Sequence, residues 1–294
     1  APLTTSTLQA LHRSLFEPVR DHNCVTGLFV AGGGKRTLTT YFLHNTPTLK
    51  ATFGAIYDTT LFVYVNPDDL TEMTSDSYHE LMLRALVAAV KEREIACEPA
   101  VGENSLEKLK HCVRLLTTRD WFIVFILNDF EITLSFPTSI YLNLESIMTV
   151  DKSHVTYMFL SCTDLLHEEF LDRLHNLKYA VTQHVVYHPL LSVQDSIYVI
   201  SSYTQRLKFT LTDGIKAVLF NVCGGHPQLL KYALHHAADF LKKGKKDNEA
   251  LRTFLITHPQ LRIICSDIWQ SLWEAEKQVL LAVVKTKKVP ASLE

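Results

Sequence analysis

The residues with the clearest chemical potential lie in a short glycine-rich stretch from Thr26 to Leu43, TGLFVAGGGKRTLTTYFL. The apolar run from Gly27 to Ala31 predicts a buried strand, and the apolar spacing after Thr37 predicts a helix. Between them stand Gly32, Gly33, Gly34, Lys35 and Arg36. Glycines let backbone N–H groups curve around an anion, a lysine can reach terminal phosphates, and a threonine hydroxyl can bind Mg²⁺. This layout is typical of a loop that binds the phosphates of ADP or ATP.

The spacing of this stretch departs from the usual phosphate loop in two ways. Phe29 stands where a glycine is expected five residues before the Gly-Lys pair, and Arg36 stands where the hydroxyl residue normally follows the lysine. The hydroxyl would then come from Thr37, or less directly from Thr39. The alternative interpretation is a strand-to-helix turn with a solvated lysine.

Polar residues also end two later apolar runs, Phe122 to Leu127 and Val155 to Leu160. The residues that follow them are Asn128-Asp129-Phe130-Glu131 in the first case and Ser161-Cys162-Thr163 in the second. Carboxylates at a strand end beside a phosphate loop can hold Mg²⁺ and orient an attacking water, and a nearby hydroxyl can contact the γ-phosphate. The alternative for both is a buried strand that ends in a polar turn.

The elements that would position these candidate residues are strand-like apolar runs that alternate with helical segments. This alternation predicts an α/β fold with a parallel sheet and helices on both faces. We predict strands at 27–31, 61–66, 120–127, 155–160 and 179–187. We predict helices at 5–15, 77–93, 105–117, 138–150 and 165–176, with a loop over 98–104. Ser105 is the expected cap of its helix, and Pro18 is expected to keep residues 16–20 out of the first one.

The strand pattern stops at Ser192, which predicts an all-helical region from about residue 191 onward. Its helices are expected at 192–206, 212–222, 228–242 and 261–285, the last one broken near Ser266 or Ser271. The stretch Gly224-Gly225-His226-Pro227 predicts a turn, because glycines stop one helix and proline suits the first position of the next.

Composition narrows the class of protein. The 294 residues are 47% hydrophobic and 20% charged with a net charge of −2, which is ordinary for a globular chain and offers no general attraction to nucleic acid. The basic run from Lys242 to Lys246 is interpreted as a solvated linker. The six cysteines contain no Cys-x-x-Cys pair, so we expect reduced thiols and no zinc site. No apolar run is long enough to cross a membrane, and an intracellular protein is expected, cytoplasmic or nuclear.

The phosphate loop, the acidic strand end, the hydroxyl-ended strand and the Gly-Gly-His-Pro segment follow one another in a recognisable order. In this order the chain resembles the STAND class of AAA+-related ATPases over about residues 10 to 285, and the origin-recognition-type AAA+ ATPases share a related pattern. The resemblance implies a P-loop NTPase core over 1–190, a helical lid over 191–258 and the start of a winged helix over 259–294. It also implies that nucleotide lies between core and lid.

The resemblance carries roles onto particular residues. It assigns nucleotide binding to Gly32, Gly33, Gly34, Lys35, Arg36, Thr37 and Pro227, and an adenine-pocket segment to Phe16–Arg20. It assigns catalysis to Asn128, Asp129 and Ser161 (or Thr163), and the Mg²⁺ to Thr37 and Asp129. Asn128 occupies the position of the family's Mg²⁺-associated aspartate, and Asp129 that of its catalytic glutamate. An alternative register uses Asp129 for the metal and Glu131 for catalysis.

The function implied is a switch ATPase that binds ADP or ATP with Mg²⁺ and hydrolyses weakly or not at all, since Asn128 removes a carboxylate. Its partners would be the nucleotide, other proteins or a second copy of the chain, and no membrane. The first alternative is an origin-recognition-type initiator or regulator that binds DNA through the winged helix. The second is a non-enzymatic scaffold that keeps the fold and binds no nucleotide.

Overall fold

The chain forms two compact units in this computed structural model, residues 1–28 with 36–188 and residues 29–35 with 189–294. The structure describes residues 6–97, 104–207, 209–242 and 247–286. Four sequence predictions therefore fall wholly or partly outside the described residues: the helix start at Thr5, the loop over 98–103, the basic residues 243–246 and the end of the predicted winged helix at 287–294.

The first unit contains a five-stranded parallel sheet with the strand order β2-β3-β4-β1-β5. The strands are β1 Val25–Leu28, β2 Thr60–Val65, β3 Phe122–Leu127, β4 Val155–Ser161 and β5 Val185–Tyr187. Every residue of β3 and β4 is buried, as expected for central strands covered on both faces. The register pairs Val65 with Leu127 and Leu28 with Ser161, so the carboxyl ends of these four strands lie at one edge of the sheet.

Helices cover both faces of this sheet, which confirms the predicted α/β class. They are α1 Ser6–Arg20, α2 Lys35–His44, α3 Thr46–Phe53, α4 Ser75–Glu92, α5 Ser105–Thr117, α6 Ser139–Met148, α7 Glu168–Leu171 and α8 Leu177–Val181. The connection from β1 to β2 crosses the sheet in the opposite direction to the later connections. Because crossovers between parallel strands are right-handed, α2 and α3 lie on the opposite face from the helices of the later connections. On that face the ring of Phe16 in α1 packs 6.4 Å from Phe53 of α3 and 6.3 Å from Phe62 of β2.

The first helix differs from its prediction, because α1 continues through Pro18 to Arg20. Its buried side chains are Leu11, His12, Leu15, Phe16 and Val19, and this stripe keeps helical spacing past the proline. Pro18 removes one backbone hydrogen bond near the end of the helix, and burial of Phe16 and Val19 offsets that loss.

Three other local predictions were wrong in part. Asn104, rather than Ser105, caps α5, since its side-chain oxygen accepts from the N–H of Glu107 at 2.9 Å. The helix expected at 165–176 is reduced to the single turn α7 with flanking turns. The strand expected at 179–187 is replaced in its first half by α8, because Leu177, Ala180 and Val181 are the buried residues there and have helical spacing.

In the described residues beyond position 192, every element of regular secondary structure is a helix. Its helices are α9 Val193–Leu207, α10 Asp213–Cys223, α11 Pro227–Lys242, α12 Asn248–Thr257, α13 Pro259–Gln270 and α14 Glu274–Thr286. Gly224, at φ 55°, ends α10 with its N–H on the carbonyl of Phe220, as the glycine pattern predicts. Leu261 and Ile264 of α13 are buried in the same core as α10 to α12. The domain boundaries at 190 and 258 remain predictions.

All six cysteines are free thiols, and Cys24, Cys112 and Cys223 are buried. This agrees with the expectation of reduced thiols. None of the helices in the described ranges combines the length and apolar character that crossing a bilayer requires.

Candidate functional site

The glycine-rich loop is a tight backbone turn between β1 and α2. The strand ends at Leu28, three residues earlier than predicted, because the chain turns where the N–H of Gly33 donates to the carbonyl of Val30 at 2.7 Å. A Cβ on Gly33 would lie 2.7 Å from that same carbonyl oxygen, so no other residue fits this turn without moving the backbone. Gly32, at φ 74°, adopts a conformation that glycine tolerates best.

His226 holds this loop from the N-terminus of α11. Its Nε2 lies 2.7 Å from the carbonyl oxygen of Ala31, and its Nδ1 accepts from the N–H of Leu229 at 3.2 Å. The ring is 3% exposed, and burial lowers its pKa, although the hydrogen bond to Ala31 opposes this effect. Both contacts are satisfied by a neutral ring with its proton on Nε2.

Gln228 also lies against the glycine-rich loop. A Cβ placed on Gly32 would lie 2.1 Å from Oε1 of Gln228 and 2.9 Å from Cε1 of His226. The sequence pattern placed His226 in this turn but indicated a binding role for Pro227 alone, and it gave no sign of the contact made by Gln228. Pro227 begins α11, as predicted, and a polar residue directly before such a proline is a signal for a side chain that caps the helix.

We expect His226→Ala to lower the free energy of unfolding by about 1–3 kcal/mol, because the half-buried carbonyl of Ala31 and the buried N–H of Leu229 lose their partner. The matched control is His235→Ala, an exposed histidine on the same helix, with an expected change of about 0.5 kcal/mol or less. Urea unfolding monitored by circular dichroism measures both. Equal losses in the two variants would contradict the role of His226.

Lys35 is the first residue of α2 and is only 5% exposed. A buried ammonium needs negative charge close by, and its position at a helix N-terminus is one where phosphates bind. Arg36 points to solvent and forms an ion pair with Asp68, itself in the turn after β2. Thr37 is exposed, whereas Thr39, one helical turn beyond Lys35, is buried. Thr39 is therefore the buried hydroxyl on the same side of the helix as Lys35, and the assignment of the Mg²⁺ hydroxyl to Thr37 or Thr39 stays a prediction.

The polar end of β3 is built around a buried amide. Asn128 is 0% exposed, and its backbone N–H donates to the carbonyl of Val65 on β2 at 3.0 Å. Its Nδ2 donates to Oδ2 of Asp129 and lies 3.5 Å from Oδ1 of Asn66. Asn128 thus acts as a hydrogen-bond donor to the carboxylate of Asp129.

The next residues direct two carboxylates to the same edge of the sheet. Asp129 has left-handed backbone angles, φ 48° and ψ 46°, which aspartate tolerates better than most residues. Phe130 is buried against Phe159, with ring centroids 4.8 Å apart, and this contact anchors the turn. Glu131 accepts the backbone N–H of Cys162 on its Oε1 at 3.0 Å. The assignment of metal and catalytic roles to Asn128, Asp129 and Glu131 stays a prediction.

The hydroxyl of Ser161 forms hydrogen bonds within the turn after β4, and its role in catalysis stays a prediction. Its hydroxyl donates to the carbonyl of Thr163 at 2.7 Å and accepts the N–H of Thr163 at 3.0 Å, so it closes the turn after β4. The buried hydroxyl has both of these partners in the backbone, and the assignment of a polar sensor to Ser161 or Thr163 stays a prediction.

No protein-family pattern matches the chain, and no curated protein matches its sequence. Solved structures do match. The ORC2 protein of Aeropyrum pernix in its ADP form has a TM-score of 0.60 at 13% identity, covering 87% of this chain and 69% of that one. The ORC1 protein of Aeropyrum pernix in complex with DNA has a TM-score of 0.55 at 15% identity, covering 96% and 71%.

Cdc6p of Pyrobaculum aerophilum has a TM-score of 0.56 at 15% identity, covering 83% of this chain and 63% of its own. At such identities a likeness shows the fold and leaves function to the site. The chain has an origin-recognition-like AAA+ fold, with a P-loop NTPase core of parallel strands and helices.

Proposed function

We propose that this chain is a nucleotide-dependent switch that binds ADP or ATP and hydrolyses ATP weakly or not at all. The observation that carries the proposal is the loop itself, in which the tight turn at Gly33 leads into Lys35 at the start of a ten-residue helix. The backbone N–H groups of a helix start and its dipole favour an anion there.

The fold neighbours add support for the ligand. The ORC2 protein of Aeropyrum pernix is known as ADPNP-ADP complexes and in an ADP form, and the fold of this chain is similar to its fold. We place the phosphates on Gly32 to Lys35, and we keep Pro227 as the residue of the helical unit that approaches the base. Arg36, with its solvent-exposed guanidinium, is kept as a weaker contributor.

Magnesium would supply positive charge to the phosphate oxygens during phosphoryl transfer. The residues present fit this ion in part, because Asp129 offers a carboxylate while Asn128 offers a neutral amide and Thr37 is exposed. This mixed set of ligands supports the proposal that the chain binds nucleotide better than it hydrolyses it, as a STAND-type switch would.

The proposal is tested by nucleotide affinity. We expect Lys35→Ala to weaken ADP and ATP binding by about 1.5–3 kcal/mol, the scale of a hydrogen bond to a charged group. The matched control is Lys152→Ala, an exposed lysine before β4 at the other edge of the sheet, and its affinity should equal that of the parent. Isothermal titration calorimetry measures all three proteins. The proposal fails if the parent binds neither nucleotide, or if Lys35→Ala binds as the parent does.

A second candidate is an initiator or regulator that binds DNA, which the likeness to the DNA complex of ORC1 favours. The winged helix proposed from residue 259 would carry that activity. Fluorescence anisotropy with labelled duplex DNA, at two salt concentrations and with and without nucleotide, separates this candidate from a switch that acts on proteins. The scaffold alternative is supported only if the calorimetry finds no nucleotide binding. An intracellular location remains a prediction.

A further inference from the structure

Three side chains at the carboxyl edge of the sheet bring metal-ligand atoms of two kinds together. Carboxylate oxygens of Asp129 and Glu131 and the sulfur of Cys162 all lie within 4.8 Å of one another. The two acids follow β3 and the cysteine follows β4, its hydrogen-bonded neighbour in the sheet. All three residues are half-buried, so an ion could reach them from solvent.

A second observation concerns the buried amide in contact with this cluster. The amide of Asn128 contacts this cluster, since its Nδ2 donates to Oδ2 of Asp129. The residue is fully buried, and its Oδ1 has no hydrogen-bond partner among the described residues. A buried amide oxygen without a partner is costly and is expected to be satisfied by something absent from the chain, an ion or its water.

We propose that Asp129, Glu131 and Cys162 form a binding site for a thiophilic divalent cation, with Zn²⁺ the ion that fits best. A thiolate selects zinc over magnesium, because Mg²⁺ and Ca²⁺ prefer oxygen ligands throughout. Three protein ligands, one sulfur and two oxygens, also leave a fourth position of a tetrahedral ion for water or an amide oxygen.

The local backbone holds the ligands in place for such an ion. The hydrogen bond from the N–H of Cys162 to Oε1 of Glu131, at 3.0 Å, fixes the two strand ends against each other. Around a tetrahedral zinc ion the ligand atoms would be about 3.3–3.8 Å apart, from the Zn–O and Zn–S bond lengths. Small side-chain rotations from the present arrangement would reach that spacing.

Binding would deprotonate the thiol of Cys162, with the proton released to solvent, so affinity should rise with pH. The proposal stands independently of nucleotide binding, because all its residues follow β3 and β4. If both are right, Zn²⁺ competes with Mg²⁺ for Asp129, and a nucleotide-free protein still binds zinc.

The test uses Co²⁺ as a spectroscopic probe for zinc in the full chain, first treated with a chelator and kept reduced. We expect a thiolate-to-cobalt charge-transfer band in the near ultraviolet that saturates at a single equivalent and is abolished by excess Zn²⁺. Cys162→Ser should lose the band. Glu131→Gln should keep it but bind more weakly by at least the roughly 10–100-fold that outer-shell changes cause.

The matched control is Cys265→Ser, which removes an exposed thiol in the helical unit and should leave the band unchanged. Far-ultraviolet circular dichroism checks that each variant is folded, and Glu131→Gln decides the matter if Cys162→Ser does not fold. The proposal is overturned by absence of the band in the parent. It is equally overturned by a band that persists in folded Cys162→Ser, or by parent-like affinity in Glu131→Gln.

Discussion

Asn128→Asp should hydrolyse ATP on the order of 10²–10³-fold faster than the parent chain, which is equivalent to about 2.7–4 kcal/mol of the barrier. The amide at this position donates to Asp129, whereas a carboxylate could accept Mg²⁺ or its bound waters. Positioning and electrostatics supply most of the rate in phosphoryl transfer, so restoring one charge at the metal should affect turnover strongly. A steady-state phosphate-release assay at saturating Mg²⁺ and ATP measures this change.

The same substitution should also change the stability of the chain, which gives a second measurement. It replaces a donor to Asp129 with a second carboxylate in a buried position, so the two acids repel each other unless a cation lies between them. We therefore expect Asn128→Asp to be less stable than the parent in a chelator and to recover stability as Mg²⁺ is added. Thermal unfolding with and without Mg²⁺ measures this difference.

The matched control is Asn176→Asp, which adds the same charge at an exposed position directly before α8. It should leave both turnover and the Mg²⁺ dependence of stability unchanged. If the parent already turns over at about 1 s⁻¹ or faster, an ordinary enzyme rate, the interpretation of this strand end is wrong. An equal rise in both variants would also contradict it.

Acid should destabilise the first unit well above the pH at which its carboxylates protonate, because of two buried histidines. His12 is 1% exposed and stacks on Phe16 with ring centroids 4.7 Å apart, and His79 is 3% exposed. Neither Nε2 has a hydrogen-bond partner among the described residues. Burial lowers the pKa of each imidazole from 6.5 to about 4, with Asp76 weakly opposing the shift at His79.

The direction of the pH effect follows from which state binds more protons. Between pH 6.5 and 4 the unfolded chain protonates both rings and the folded chain does not, so stability falls as the pH falls. Above pH 6.5 both rings are neutral in both states, and their contribution is fully present. At pH 5 each histidine should lower the free energy of unfolding by about 2 kcal/mol relative to neutral pH.

Urea unfolding at pH 7.5 and pH 5 measures this loss in the parent and in the double variant His12→Leu with His79→Leu. The double variant should lose less stability over the same interval, by about 4 kcal/mol. His235→Leu, at an exposed position, is the control and should behave as the parent does. A parent and double variant with the same pH dependence would show that these rings are protonated in the folded state.

Local patterns in the sequence determined much of this fold. The apolar run from Phe122 to Leu127 is the central strand β3, and the change to all-helical structure near residue 190 is present in the described residues. Glycines ended α10 and turned the chain after β1, because their effect on the backbone depends on neighbours a few residues away. Such signals are readable because secondary structure follows from short-range periodicity and steric limits.

Only the tertiary structure decided which distant residues meet. His226 reaches the carbonyl of Ala31 across 195 positions of sequence, and Glu131 reaches Cys162 across 31. No spacing rule predicts such pairs, since strand order and helix packing determine them. The same reason explains why the sequence, with no Cys-x-x-Cys pair, predicts no zinc site, while adjacent strands bring two carboxylates and a thiol within 4.8 Å. Local sequence determined the backbone conformation of the loop and of the strand ends, and the strand order of the parallel sheet brought the strand ends together.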